Sequence, residues 1–112
     1  VGMTNDATFG PVMTVGMGGV LVEVLNDAVM FVPPVSPDEA ADLIASLRSQ
    51  ALLDGARGAP PADRPALALA LSDLSRLAAV LGDLIGEFDV NPVLVHAEGL
   101  TAVDVLITPK GA

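Results

Sequence analysis

The 112-residue sequence has no cysteine, no tryptophan and no tyrosine, only three phenylalanines and one histidine. Without cysteine there are no disulfides and no thiolate metal sites, a composition that fits a cytoplasmic setting. With so few aromatic rings, the core must be built from Val, Leu, Ala and Ile, in a chain that is 52% hydrophobic. Basic residues are scarce as well: five Lys and Arg stand against fourteen Asp and Glu, for a net charge of −9. Nucleic acid and anionic membrane surfaces both select for a basic face, so neither is expected as a partner. No apolar run is long enough to span a membrane. The most apolar candidate, Pro65 to Leu81, is interrupted by Asp73, Arg76 and two serines. No basic segment followed by an apolar core and a small-residue cleavage site marks a signal peptide. The chain opens on strand-like residues from Val1, which reads as a piece of a longer protein.

What is present divides into three stretches. Val1–Met3, Val12–Val15, Val20–Leu25 and Ala28–Val32 are β-branched or apolar runs and read as strands. Thr4-Asn5-Asp6 and Asn26-Asp27 read as turns between them. Met3, Met13, Met17 and Met30 fall on this strand region and read as core filler. Pro33-Pro34 ends the last run. The period then changes. Ser36-Pro37-Asp38-Glu39 carries a cap, a first-turn proline and a capping-box glutamate. Ala40, Leu43, Ile44 and Leu47 follow at helical spacing. After the loop "GARGAPP", Asp63 caps a longer helix with a stripe at Leu67, Leu71, Leu74, Ala78 and Leu81, and Gly82 is its stop. The last stretch is a hairpin, "EFDVNPVLV" returning as "LTAVDVLI". The expected fold is α+β, a mainly antiparallel sheet with two helices on one face.

Two features invite a chemical reading. The first is "VGMGGVLVEVL", where Gly16, Gly18 and Gly19 interrupt an apolar run. A phosphate loop of the Walker type needs a following Lys-Ser/Thr, and a dinucleotide fingerprint needs a following helix. Neither is present, so the glycines read as a close approach between two strands. Glu23, in the run that follows, reads as a solvent-facing strand residue, and His96 as a solvated turn histidine.

The second feature is the hairpin. Phe88 and Val90 alternate with Glu87, Asp89 and Asn91, and Pro92 calls for an edge or a bulge. A turn centred between Ala97 and Glu98 makes Asn91 and Asp104 cross-strand partners, with Cβ atoms about 5 Å apart, whereas a register shift of one makes them diagonal. Two oxygen donors at that separation suit Mg²⁺, which takes one or two protein oxygens and completes its shell with water and phosphate. On spacing alone the simpler reading is favoured, with Asp104 on a solvated face and Asn91 opening a proline turn.

Taken together, "VGMTNDATFGPVMTVGMGGVLVEVLND", "LLDGARGAPPAD" and "EFDVNPVLV…VDVLI" resemble, in order, the ATP-grasp region of ADP-forming acyl-CoA synthetases of the acetate–CoA ligase type. The hairpin is more loosely similar to that of the succinyl-CoA synthetase β chain. The resemblance implies that residues 1–112 are the C-terminal portion of an ATP-grasp domain. It implies a reaction in which acid, CoA and ATP interconvert with acyl-CoA, ADP and phosphate through a phosphohistidine on another domain. Asn91 and Asp104 match the family's Mg²⁺ ligands, which reverses the preference from spacing alone. Asp89 matches a neighbouring acidic position. The cofactors implied are Mg²⁺ and ATP or ADP. The partners implied are the remainder of the ATP-grasp domain and a CoA-ligase and phosphohistidine domain, with homo-oligomer formation allowed. No catalytic residue is assigned within the chain. The family's nucleotide-binding basic residues precede Val1, His96 does not match the phosphorylated histidine, and the strand "AVMFVPP" lacks an arginine common in the family. The chain by itself is therefore expected to be inert. The alternatives are a non-catalytic regulatory module of a protein fused to an acetyltransferase, or a plain assembly domain.

Overall fold

The computed structural model describes residues 1–17, 27–55 and 58–111. In chain order the elements are β1 (Gly2–Asp6), β2 (Gly10–Gly16), β3 (Ala28–Phe31), α1 (Pro37–Ala45), α2 (Gln50–Leu53) and α3 (Arg64–Leu81). They continue with β4 (Ile85–Val90), β5 (Val93–Val95), β6 (Leu100–Ala102) and β7 (Val105–Pro109). Five strands form one antiparallel sheet in the order β3-β2-β1-β4-β7. β5 and β6 form a separate two-stranded sheet. The α+β layering is as expected, with the short α2 as an additional helix. Gly18, Gly19, the Val20–Leu25 strand, Glu23 and Asn26 lie outside the described residues.

Local chemistry explains the helices. Ser36 Oγ accepts the Glu39 N–H at 3.1 Å, and Glu39 Oε1 accepts the Ser36 N–H at 3.1 Å, so the expected capping box forms at α1. Asp63 accepts the Ala66 N–H at 3.1 Å and caps α3. The buried stripe of α3 differs from the leucine stripe expected. It runs through Leu67, Leu71, Ser72, Ser75 and Ala78, while Leu74 and Leu81 are only partly buried. Two serines are tolerated inside because the backbone of Val35 meets both. Ser75 Oγ accepts the Val35 N–H at 2.9 Å, and Ser72 Oγ donates to the Val35 carbonyl at 2.8 Å. Gly82 stops α3 as expected, although its φ of −58° is right-handed. The need for glycine is steric, since a Cβ there would lie 2.5 Å from Pro11 Cγ.

The strand reading needs three corrections. Thr4, Asn5 and Asp6 continue β1 instead of turning. The Asn5 amide donates to the Ile85 carbonyl at 2.6 Å, so a partner 80 residues away holds it in the sheet. The turn comes at residues 7–9, where Asp6 Oδ1 accepts the N–H groups of Thr8 and Phe9 at 2.7 and 3.0 Å. Met3 and Met13 fill the core, but Met30 is 69% exposed.

The core lies between the five-stranded sheet and the helices in two clusters. One joins Val15 and Val35 to Ile44, Leu53, Leu67 and Leu71. The other joins Met3 and Met13 to Ala78, Ile85, Phe88 and Val90.

Candidate functional site

The site is built on the hairpin that starts with β4. Phe88 and Val90 are buried while Glu87 and Asp89 are exposed, the alternation a one-sided sheet requires. β4 pairs with β7 from Glu87↔Thr108 to Val90↔Val105. β5 pairs with β6 from Val93↔Ala102 to Val95↔Leu100. Both ladders are centred by count between Ala97 and Glu98, but they belong to different sheets and neither includes Asn91 or Asp104. The backbones of Asn91 and Asp104 meet at the junction, where the Asn91 N–H donates to the Asp104 carbonyl at 3.0 Å. One step further, the Val103 N–H donates to the Pro92 carbonyl at 3.0 Å.

The irregularity expected at Asn91-Pro92 is there as a break in the strand that resets the burial phase: Val90 is buried, Asn91 and Pro92 are both exposed, and Val93 and Val95 pack on the core. Pro92 cannot donate to the ladder, but its carbonyl still accepts. The ladder also slips at Gly86, between Ile85 and Glu87. The break at Asn91-Pro92 is where the hairpin leaves the large sheet.

Asn91 and Asp104 are both exposed. Their backbones are hydrogen-bonded to each other, so an amide oxygen and a carboxylate are carried by two neighbouring exposed residues. Asn91 and Pro92 also line a groove of about 430 Å³. Its other walls include Val15 to Met17 at the end of β2, Leu53 of α2 and Ala62 ahead of α3. Gly16 admits the close strand approach expected of it, since a Cβ there would lie 2.9 Å from the Ala28 Cβ. No Lys or Arg is among the described residues lining the groove. Arg64 is engaged with Asp54 at 2.8 Å, and Arg76 with Asp73. His96 is exposed at the hairpin turn, with Nε2 2.9 Å from Thr101 Oγ1.

Among the described residues, no three His, Cys, Asp or Glu side chains gather to hold a metal unaided. A pair consisting of one amide and one carboxylate fits a hard divalent cation whose remaining ligands are water and phosphate oxygens. It does not fit zinc, which takes nitrogen or sulfur ligands in a closed shell.

Two carboxylates around the groove have roles the sequence reading missed. Asp27 is only 2% exposed. Its oxygens accept the N–H groups of Arg48 and Ser49 at 2.6 and 2.8 Å, closing the turn after α1. Those bonds, the Arg48 N–H foremost, hold its carboxyl below the usual carboxylate range. Asp63 does more than cap α3. Its second oxygen accepts the Gly99 N–H at 2.7 Å, and its own N–H donates to the His96 carbonyl at 2.7 Å. The Gly99 N–H, followed by that of Ala66, lowers the Asp63 pKa. The cap was legible in the sequence, but the grip on a hairpin tip 36 residues away was not.

An antiparallel sheet with helices on one face, whose terminal hairpin leaves the sheet, matches a known domain class. The chain belongs to the ATP-grasp family, whose domain model matches residues 1–108. Within that family it is related to the ADP-forming acyl-CoA synthetases. It is 38% identical over 113 residues to the beta subunit of acetate–CoA ligase (ADP-forming) II of Pyrococcus furiosus, a match covering 99% of this chain and 48% of that one. It is 43% identical over 99 residues to 4-hydroxybutyrate–CoA ligase (ADP-forming) of Nitrosopumilus maritimus, covering 88% of this chain and 14% of the ligase. Among solved structures, the dinucleotide-forming acetyl-coenzyme A synthetase 1 of Ca. Korarchaeum cryptofilum, in complex with coenzyme A and Mg-AMPPCP, superposes with a TM-score of 0.88. That match is 36% identical and covers 97% of this chain and 51% of the other. This chain thus spans about half the length of the beta subunit it matches and far less of the single-chain ligase.

Proposed function

We propose that residues 1–112 are the C-terminal portion of the ATP-grasp domain of an ADP-forming acyl-CoA synthetase, and that they form one wall of its Mg-nucleotide site. Asn91 and Asp104 are the protein ligands of the metal. The observation that carries this reading is the junction itself, where the Asn91 N–H bonds to the Asp104 carbonyl as the hairpin passes from one sheet to the next. Relatives that are ADP-forming ligases, and a structural neighbour that holds Mg-AMPPCP, support it.

Bound there, Mg²⁺ would offset phosphate charge and hold ATP or ADP by its phosphate oxygens. Asn91 offers a neutral oxygen, and Asp104 supplies the charge that opposes the cation. The bond between their backbones couples the two strands, so the donors keep their spacing. The described lining of the groove offers no Lys or Arg to a nucleoside triphosphate. The remaining cationic groups come from the rest of the ATP-grasp domain, and the phosphohistidine and CoA chemistry from a further domain. The 112-residue chain alone turns nothing over.

The test is made in the full-length enzyme. Asp104→Asn keeps the shape and removes the charge, so it lowers kcat/KM at limiting Mg²⁺ by about 100-fold, the scale of losing one electrostatic stabiliser. Asn91→Ala removes a neutral donor and costs less. Because Asp104 is exposed, the substitution leaves stability within about 0.5 kcal/mol of wild type. Wild-type turnover at limiting Mg²⁺, or unfolding in place of lost activity, overturns the assignment.

A further inference from the structure

We infer that Asp63 is a positioning residue for the Asn91–Asp104 pair, acting as a latch on the far end of the hairpin at whose base the pair sits. The inference rests on the metal assignment above and extends it to a residue that does not touch the metal.

β5 and β6 are three residues each. A two-stranded sheet of that size is not stable alone. Among the described residues it makes no ladder to the five-stranded sheet, and hydrogen bonds hold it at its two ends. At its base are the bonds of Asn91 to Asp104 and of Val103 to Pro92. At its tip, Asp63 takes the Gly99 N–H at 2.7 Å and gives its own N–H to the His96 carbonyl at 2.7 Å. Between the ends, Val93, Val95 and Leu100 pack on the core cluster, but all three are only half-buried. The base is therefore a hinge, and the tip bonds set the angle at which the hairpin leaves the sheet.

Five residues of extended chain separate Asn91 from His96, a lever of about 16 Å. Moving the tip by about 3 Å turns such a lever by about 10°, which is the tolerance within which a functional constellation must be held. Asp63 is well placed to prevent this because its other oxygen caps α3. The latch is thus fixed to the first turn of the longest helix, whose Leu67 and Leu71 are buried in the same cluster the hairpin packs on.

The two carboxylate oxygens make the roles separable. Ser caps helices well but is too short to reach Gly99 while doing so. Asn also caps, but it has a single acceptor oxygen and would turn its NH₂ toward one of the two N–H donors. Both substitutions keep the cap and the backbone bond to His96 but lose the Gly99 bond, whereas Asp63→Ala loses the cap and the Gly99 bond together.

In the full-length enzyme, Asp63→Ser and Asp63→Asn raise the KM for Mg-nucleotide and the Mg²⁺ concentration needed for half activity by about tenfold, the scale of losing a residue that orients a metal ligand. The KM values for CoA and for the acid stay unchanged, and the melting temperature stays close to wild type. Deuterium uptake over residues 96–101 rises in both variants. An unchanged Mg²⁺ requirement in both, with Asp104→Asn still impaired, overturns the latch and leaves the metal assignment standing. An equal rise in KM for all substrates together with lost stability also overturns it, since Asp63 would then be structural only. Wild-type behaviour of Asp104→Asn removes the metal assignment, and the latch with it.

Discussion

Ser72 and Ser75 lie nearly one helical turn apart on the buried face of α3, and both hydroxyls engage the backbone of Val35. In the sequence they look like polar interruptions of a leucine-rich helix. In the structure they replace a strand or helix partner for a segment that Pro33 and Pro34 keep out of regular structure. The consequence is measurable. Ser75→Ala leaves the buried Val35 N–H without its acceptor and costs about 1–3 kcal/mol, the penalty of an orphaned donor. Chemical denaturation of the wild type and variant reads this directly. A loss below about 0.5 kcal/mol would mean that water or Ser72 takes over the bond. The same asymmetry separates Asp63 from Asp104. Asp63 has every oxygen engaged by backbone, while Asp104 is exposed and its backbone carbonyl alone is bonded to Asn91. That contrast is why one reads as scaffold and the other as a ligand.

At the scale of elements, β2 and β3 approach closely at Gly16. Gly16 pairs with Ala28, and a side chain there would meet the Ala28 Cβ at 2.9 Å and the Asp27 carbonyl at 3.0 Å. Gly16→Ala must push β3 away or twist the end of β2, an overpacking cost of about 1–3 kcal/mol. The end of β2 also lines the groove beside Asn91. A thermal melt that is unchanged for Gly16→Ala would show that the strands can separate freely. The hairpin is the other element whose local details exceed the pattern. Pro92 announced an irregularity, and the register about Ala97-Glu98 was readable by counting, because antiparallel partners sit symmetrically about their turn. The division of one hairpin between two sheets was not readable, since the tip meets the start of α3 at Asp63, 36 residues from Gly99.

For the whole molecule, the notable surface is β7. It forms one edge of the five-stranded sheet, and Val105, Leu106 and Ile107 are all more than half exposed, on both faces of the strand. An exposed, apolar edge strand is a template for pairing with other chains. The 112-residue chain in isolation is expected to self-associate, with light scattering showing dimers or larger species despite a net charge of −9. Leu106→Lys, which places a charge on the exposed edge, reduces that association. A monomer at high concentration that binds no hydrophobic dye would contradict the expectation.

The sequence alone determined the α+β layering, both long helices with their caps, the hairpin register and the pairing of Asn91 with Asp104. Each of these follows from local periodicity, from hydrogen bonds within three residues, or from symmetry about a turn. Tertiary structure decided the rest. Asn5 is strand and not turn because Ile85 accepts its amide. The ladder slips at Gly86 as well as breaking at Pro92, whose carbonyl still finds the Val103 N–H. Serines line the core because Val35 needs partners. Asp63 reaches the hairpin tip because α3 brings its first turn beside residues 36 positions further on. In every case the deciding group is a hydrogen-bond partner distant in sequence, and no pattern within a window of residues can supply it.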